Sequence, residues 1–200
     1  MLIAENNDID PNRKIVSRCC VALGSNIPSK FGDSLKTLNR AISDLQTLNF
    51  KLIECSNFYE TEPFPKDSGS KFVNCCAIFE SQLSAFDVLE HLHSLEKLYG
   101  RVRDKRWGAR IIDLDLIYFD ELIYPNKNTL QKWSDLSPEE QIKYCPSEMI
   151  LPHPRLQDRV FVLLPLRDVN KDWRHPILGI SVNDMLALLD PYLLNEIKKL

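Results

Sequence analysis

The sequence predicts an α+β fold, a ferredoxin-like β-α-β-β-α-β sandwich in which an antiparallel sheet is flanked by helices and followed by a C-terminal extension. Three observations predict it. Short β-like apolar runs at 15–23, 51–59, 72–79 and around Asp113 are bounded by turn residues. Two stretches, 33–48 and 84–98, carry apolar residues at helical spacing. The two kinds follow one another as strand, helix, strand, strand, helix, strand in a chain of 200 residues, enough for one well-buried domain.

Each element has its own warrant. Residues 1–14 are polar and aperiodic and read as a flexible arm. Ile15 to Leu23 is a β-like run stopped by Gly24-Ser25-Asn26, a turn signal. Between Asp33 and Leu48, the spacing of Leu35, Leu38, Ala41, Ile42 and Leu45 gives an amphipathic helix. Lys51 to Tyr59 is a second strand, and the prolines and glycine of 62–70 make a loop before the third strand, Phe72 to Phe79. Ser84 and Asp87 form a capping box, and the helix that they open ends at Gly100. The Asp113 strand closes the pattern. A polar surface insertion at 125–148, the apolar segment 151–166 and a helix near 182–189 complete the chain, read as a single domain over 1–200.

Composition narrows the function. Apolar residues make up 44% and charged residues 26%, as in ordinary globular proteins, and the net charge of −3 gives no basic field for nucleic acid. Six cysteines at 19, 20, 55, 75, 76 and 145 show no C-x-x-C metal spacing and read as small buried thiols of a reducing compartment. The first residues lack the apolar stretch of a signal peptide, and no run reaches transmembrane length. A cytoplasmic monomer acting on small molecules, with neither nucleic acid nor membrane as partner, is the expectation.

The most informative stretch is Arg106 to Ile117, RWGARIIDLDLI. Side chains on a strand alternate faces, so Asp113 and Asp115 share one side while Leu114 and Leu116 point to a core on the other. Two adjacent carboxylates repel and need a cationic partner. Hard oxygen ligands beside arginines suit Mg²⁺ bridging a polyphosphate. Such a pair on its own is usually solvated, but here Arg110 stands three residues before Asp113, and Arg101, Arg103, Lys105 and Arg106 crowd the preceding turn. Arginine forks there would clamp phosphate oxygens, although for Lys105 and Arg106 a solvated loop remains open. The six glycines form neither a P-loop nor a dinucleotide-binding fingerprint.

Read in order, ALGSN (22–26), SNFYETEP (56–63), FVNCC (72–76), GRVR (100–103), RWGARIIDLDLI and LPHPRLQDRVFVLLPL (151–166) resemble the 6-hydroxymethyl-7,8-dihydropterin pyrophosphokinases of folate biosynthesis. The resemblance covers most of residues 20–170, and R-W-G-x-R-x-x-D-x-D is its most specific part. It implies an ATP-dependent diphosphotransferase. Pyrophosphate would pass from ATP to the hydroxymethyl group of the pterin, giving the pterin diphosphate and AMP, with two Mg²⁺ ions held by Asp113 and Asp115. It implies catalytic roles for Arg101, Arg103, Arg110, Asp113 and Asp115. ATP would be bound by those three arginines together with His93, Glu96, Trp107, Leu116, His153 and Arg159. The pterin would be bound by Thr61, Pro63, Phe64, Phe72, Asn74, Trp107, Asp113 and Phe161.

Without the resemblance, Phe72 and Phe161 read as core residues, His93 and Glu96 as a solvated helix-surface pair, and His153 as an ordinary loop residue. The chain also departs from its relatives. Pro65 stands where many have glycine, 125–148 is longer than their usual connection, and Glu148 takes a place where some carry a basic residue near ATP. Two other classes fit the motif less well: a different Mg²⁺-dependent nucleotidyl or phosphoryl transferase, which would release pyrophosphate, and a non-enzymatic ferredoxin-like module for single-stranded RNA, which paired carboxylates disfavour.

Overall fold

The computed structural model describes residues 16–63, 69–101 and 110–200. Phe64, Arg103, Lys105, Arg106 and Trp107 lie outside the described residues, as does the arm at 1–14.

Strand β1 (Ser17–Ser25) is central. It pairs antiparallel with β4 (Phe72–Ser81) on one side and β5 (Asp113–Phe119) on the other. Beyond β4 lie β2 (Lys51–Cys55), against its C-terminal half, and β3 (Tyr59–Thr61), against its start. The result is an antiparallel sheet with flanking helices. Helix α1 (Ser34–Gln46) is capped by Asp33, which accepts the Lys36 amide at 2.8 Å. Helix α2 (Ala85–Leu98) opens on the expected Ser84/Asp87 capping box, and Gly100 follows it at φ 85°.

The C-terminal third continues with α3 (Lys127–Ser134), α4 (Pro138–Lys143), a 3-10 turn at 156–158, α5 (Val160–Asn170), α6 (Val182–Leu188) and α7 (Pro191–Asn195). A two-residue strand β6 (Lys198–Lys199) ends it, paired with β3. The stretch 125–148 therefore contains two short helices. Its ends are pinned by a mutual pair of backbone hydrogen bonds between Tyr124 and Leu151, at 2.9 and 3.0 Å.

The core has two halves, one on each face of the sheet. Cys19, Val21 and Leu23 of β1, with Cys75, Ala77 and Phe79 of β4, pack against Leu38, Leu45, Val88 and Leu92 of α1 and α2. Cys20, Cys76 and Ile78 pack on the opposite face against Val162, Leu163 and Leu166 of α5 and Met185 of α6. Both adjacent cysteine pairs thus straddle the sheet, and all six thiols are free. Because both faces are covered, the strands read as continuous apolar runs rather than apolar–polar alternation.

Three elements differ from the sequence expectation. Strand β1 runs through Gly24 and Ser25 instead of stopping at a turn, and the glycine is required there: a Cβ on Gly24 would lie 2.9 Å from Asn74 Oδ1. The expected strand at 51–59 is broken at 56–58. At the break the Cys76 amide donates to Ser56 Oγ at 2.9 Å, and Asp168 of α5 captures the Asn57 amide, the Asn57 side chain and the Tyr59 hydroxyl at 3.1, 2.7 and 2.8 Å. Strand β6 was not expected, since two consecutive lysines carry no apolar signal.

Candidate active site

A cavity of about 540 Å³ opens where β1, β4 and β5 come into register at Gly24, Asn74 and Asp113. Its size is typical of small-molecule sites. These strands supply the floor. His93 and Glu96 of α2 line one side, Phe161 at the start of α5 lines another, and the segment from Cys145 to Arg155 contributes a third.

At one end, Asp113 and Asp115 project from the same face of β5, while Leu114 and Leu116 are buried in the core on the other. Three arginines hold the carboxylates. Arg101 Nη1 reaches Asp113 Oδ1 at 2.6 Å, Arg110 pairs with Asp113 Oδ2, and Arg159 Nη1 stands 3.5 Å from Asp115 Oδ2. Asp115 is the more open, its side chain 38% exposed against 18% for Asp113. Burial lowers the Arg159 guanidinium from its ordinary value, and Asp115 and Asp113 oppose that effect.

Glu96 organises this end from below. Its buried carboxylate accepts the Leu114 amide through Oε1 at 2.8 Å and pairs with Arg101. The residue therefore locks α2 to β5 and presents Arg101 to Asp113. His153 lies nearby, its amide donating to the Ile117 carbonyl at 2.7 Å. Burial, together with Arg159 and Arg155, holds its ring well below the usual histidine range. Nδ1 accepts the Arg155 amide at 3.2 Å, so the neutral ring carries its proton on Nε2.

At the other end, Phe72, Asn74 and Thr61 share one face of the β4–β3 pair. Asn74 Nδ2 donates to Thr61 Oγ1 at 2.8 Å, which fixes the amide plane beside Gly24. Phe161 lines the same cavity with the Arg159 guanidinium 5.6 Å from its ring centroid. Both phenylalanines, core residues on composition alone, are half-buried in the cleft wall.

Of the residues that the sequence singled out, the structure brings Thr61, Phe72, Asn74, His93, Glu96, Arg101, Arg110, Asp113, Asp115, Leu116, His153, Arg159 and Phe161 to this one cavity. Pro63 is buried and does not line it. Phe64, Arg103 and Trp107 lie outside the described residues. Sequence reasoning missed Gly24, Asn26, Arg155 and the wall formed by Cys145, Pro146 and Met149. Gly24 and Asn26 stand inside the ALGSN motif, which was the available signal; the wall has none.

Comparison with known proteins is decisive. Residues 20–171 match the family model of 7,8-dihydro-6-hydroxymethylpterin-pyrophosphokinase (HPPK). The chain belongs to the HPPK family. It is 30% identical over 177 residues to the 2-amino-4-hydroxy-6-hydroxymethyldihydropteridine pyrophosphokinase of Methylorubrum extorquens, covering 88% of this chain and 96% of that one. It is 29% identical to the Synechocystis enzyme of the same name, covering 85% and 75%. A crystal structure of Plasmodium falciparum HPPK-DHPS with pterin and p-hydroxybenzoate superposes with a TM-score of 0.65 at 15% identity, covering 94% of this chain and 48% of that one. The present chain thus spans about half the length of that solved HPPK-DHPS.

Proposed function

We propose that the chain transfers a pyrophosphoryl group from ATP to the hydroxymethyl group of 6-hydroxymethyl-7,8-dihydropterin in folate biosynthesis. The observation that carries this reading is one cleft with two unlike ends. Two carboxylates ringed by three arginines stand at one end, the Asn74 amide shares a strand face with Phe72 at the other, and Phe161 lines the same cleft. The pterin alcohol oxygen attacks the β-phosphorus of ATP. The bond from that phosphorus to the α,β-bridging oxygen breaks, AMP leaves carrying that oxygen, and the hydroxyl proton passes to solvent.

Such a transfer demands positioning and charge neutralisation more than covalent chemistry. Arg101, Arg110 and Arg159 neutralise phosphate charge, and neutral His153 offers its Nε2 proton to a phosphate oxygen without adding charge. Phe72 and Phe161 bracket the flat pterin ring, and Asn74, its plane fixed by Thr61, reads the ring's edge. Asp113 and Asp115 are the residues that would hold Mg²⁺. The donor set fits that ion: two hard carboxylates, one of them open to the cleft, line it side by side, and Mg²⁺ is characteristically held by one or two carboxylates plus substrate phosphates. Bound there, Mg²⁺ would supply charge neutralisation at the polyphosphate, and we assign two ions to the pair.

The reading extends to the finer features expected from sequence. The strand order β5-β1-β4, with β2 and β3 beyond β4 and the helices α1 and α2 on one face, supports a ferredoxin-like sandwich in one pyrophosphokinase domain. No helix among the described residues is long and apolar enough to cross a membrane. We assign the enzyme to the cytoplasm from its place in folate biosynthesis and take it to act as a monomer. The test is product analysis. AMP forms from ATP when both the pterin alcohol and Mg²⁺ are present, and not when either is omitted. Release of inorganic pyrophosphate instead of AMP would identify a nucleotidyl transferase.

A further inference from the structure

Asn26 lies at the end of β1, is 6% exposed, and touches the cleft between its two ends. Its Oδ1 accepts the Arg110 amide at 2.6 Å, and its own amide donates to the Arg110 carbonyl at 3.0 Å, so the two residues close a ring of two hydrogen bonds. Its Nδ2 donates in the opposite direction, to the Ser70 carbonyl at 3.0 Å. Arg110 grips Asp113 at the phosphate end. Ser70 stands two residues before Phe72, which leads β4 into the pterin end. One planar, rigid amide therefore bonds to both halves of the site through opposite edges.

From this we infer that Asn26 is a positioning residue that couples the two substrates: ordering Arg110 around nucleotide phosphates aligns Ser70 and the start of β4 for the pterin, and the reverse. The inference rests on the proposed function and deepens it. Coupling of this kind is reciprocal, so each ligand raises the affinity of the other by the same factor. A planar amide transmits it because turning to follow one partner stretches the bond to the other.

The experiment is a calorimetric titration of the full chain with the pterin alcohol, alone and at saturating Mg²⁺ with a non-hydrolysable ATP analogue. It is performed on the wild type, Asn26→Ala and Asn26→Asp. The aspartate keeps the acceptor for the Arg110 amide and loses the donor to Ser70, so it tests the link even if the alanine variant does not fold. The wild type is expected to bind pterin more tightly with nucleotide present. In the variants, the ratio of the two affinities is expected to fall about tenfold, the worth of one buried hydrogen bond. A merely structural role would weaken both affinities and leave the ratio intact, and that result overturns the proposal, as does a wild type without coupling. A wild type that binds neither ligand is a separate result: it overturns the functional reading, and the coupling falls with it.

Discussion

Asp113 and Asp115, one residue apart, are held differently. Asp113 carries a guanidinium on each oxygen, whereas Asp115 has, among the described residues, the longer contact from Arg159 and faces the open cleft. Asp115→Ala is therefore expected to abolish AMP formation, by about a thousandfold or more, while far-UV circular dichroism and the urea midpoint stay unchanged. Normal turnover in that variant would remove the metal assignment. Gly24→Ala makes the complementary test at the pterin end. The new Cβ would press on Asn74 Oδ1, and the pterin KM is expected to rise about tenfold with the ATP KM unaffected, measured by steady-state AMP release. At this scale the local part of the site was legible: Arg110, Asp113 and Asp115 lie within one turn of chain, so spacing alone places them. The link from Asn26 to Arg110 spans 84 residues, and no local pattern encodes it. Glu96 shows a subtler gap. The resemblance implies an ATP contact, yet its Oε1 is committed to Leu114 and Arg101, an anchoring role that a motif cannot reveal.

The break between β2 and β3 shows how one side chain reshapes an element. Composition gives Lys51 to Tyr59 as one β-like run, but Asp168 from α5 collects three donors at the break and binds that helix to the sheet. Burial, and then the Asp168 carboxylate beside it, pushes the Tyr59 hydroxyl up to about 12, so it stays protonated as a donor. Asp168→Ala strands the Tyr59 hydroxyl and the Asn57 amide, and a loss of about 2 kcal/mol in urea unfolding is expected. An unchanged midpoint would mean that solvent replaces those bonds without cost. The break was illegible because its cause lies 109 to 111 residues downstream. Helices α1 and α2 were legible because their caps and apolar stripes are local.

Covering both faces of the sheet sets how the whole molecule responds to acid. His175 is buried beside Trp173, where burial lowers its ring from 6.5 to about 4, and His153 is depressed in the same direction. A histidine buried neutral takes up its proton only on unfolding. The unfolded chain thus binds more protons at any pH between the two values, and stability falls as pH drops from about 6.5 towards 4. Melting temperatures across that range should decline in the wild type and decline less in His175→Asn, whose carbonyl can still accept the Ile177 and Leu178 amides that donate to Nδ1 at 3.3 Å. Parallel curves would show that His175 protonates without unfolding. The flanking-helix architecture was readable from the order of patterns, but the layer of α5 and α6 was seen only as an extension. Packing between distant segments leaves no periodicity of its own.

The paired hydrogen bonds between Tyr124 and Leu151 join the two ends of the excursion between them, and Arg155 Nη2, donating to the Tyr144 carbonyl at 3.0 Å, ties its returning part to the scaffold. Lengthening a flexible loop costs little once its ends are joined, about 0.6 kcal/mol per doubling. Insertions at its exposed residues Pro138 to Glu140 are therefore expected to leave the sheet undisturbed. Since the excursion returns past the mouth of the cleft at Cys145 and Pro146, each such graft arrives already adjacent to the chemistry and can tune access to it.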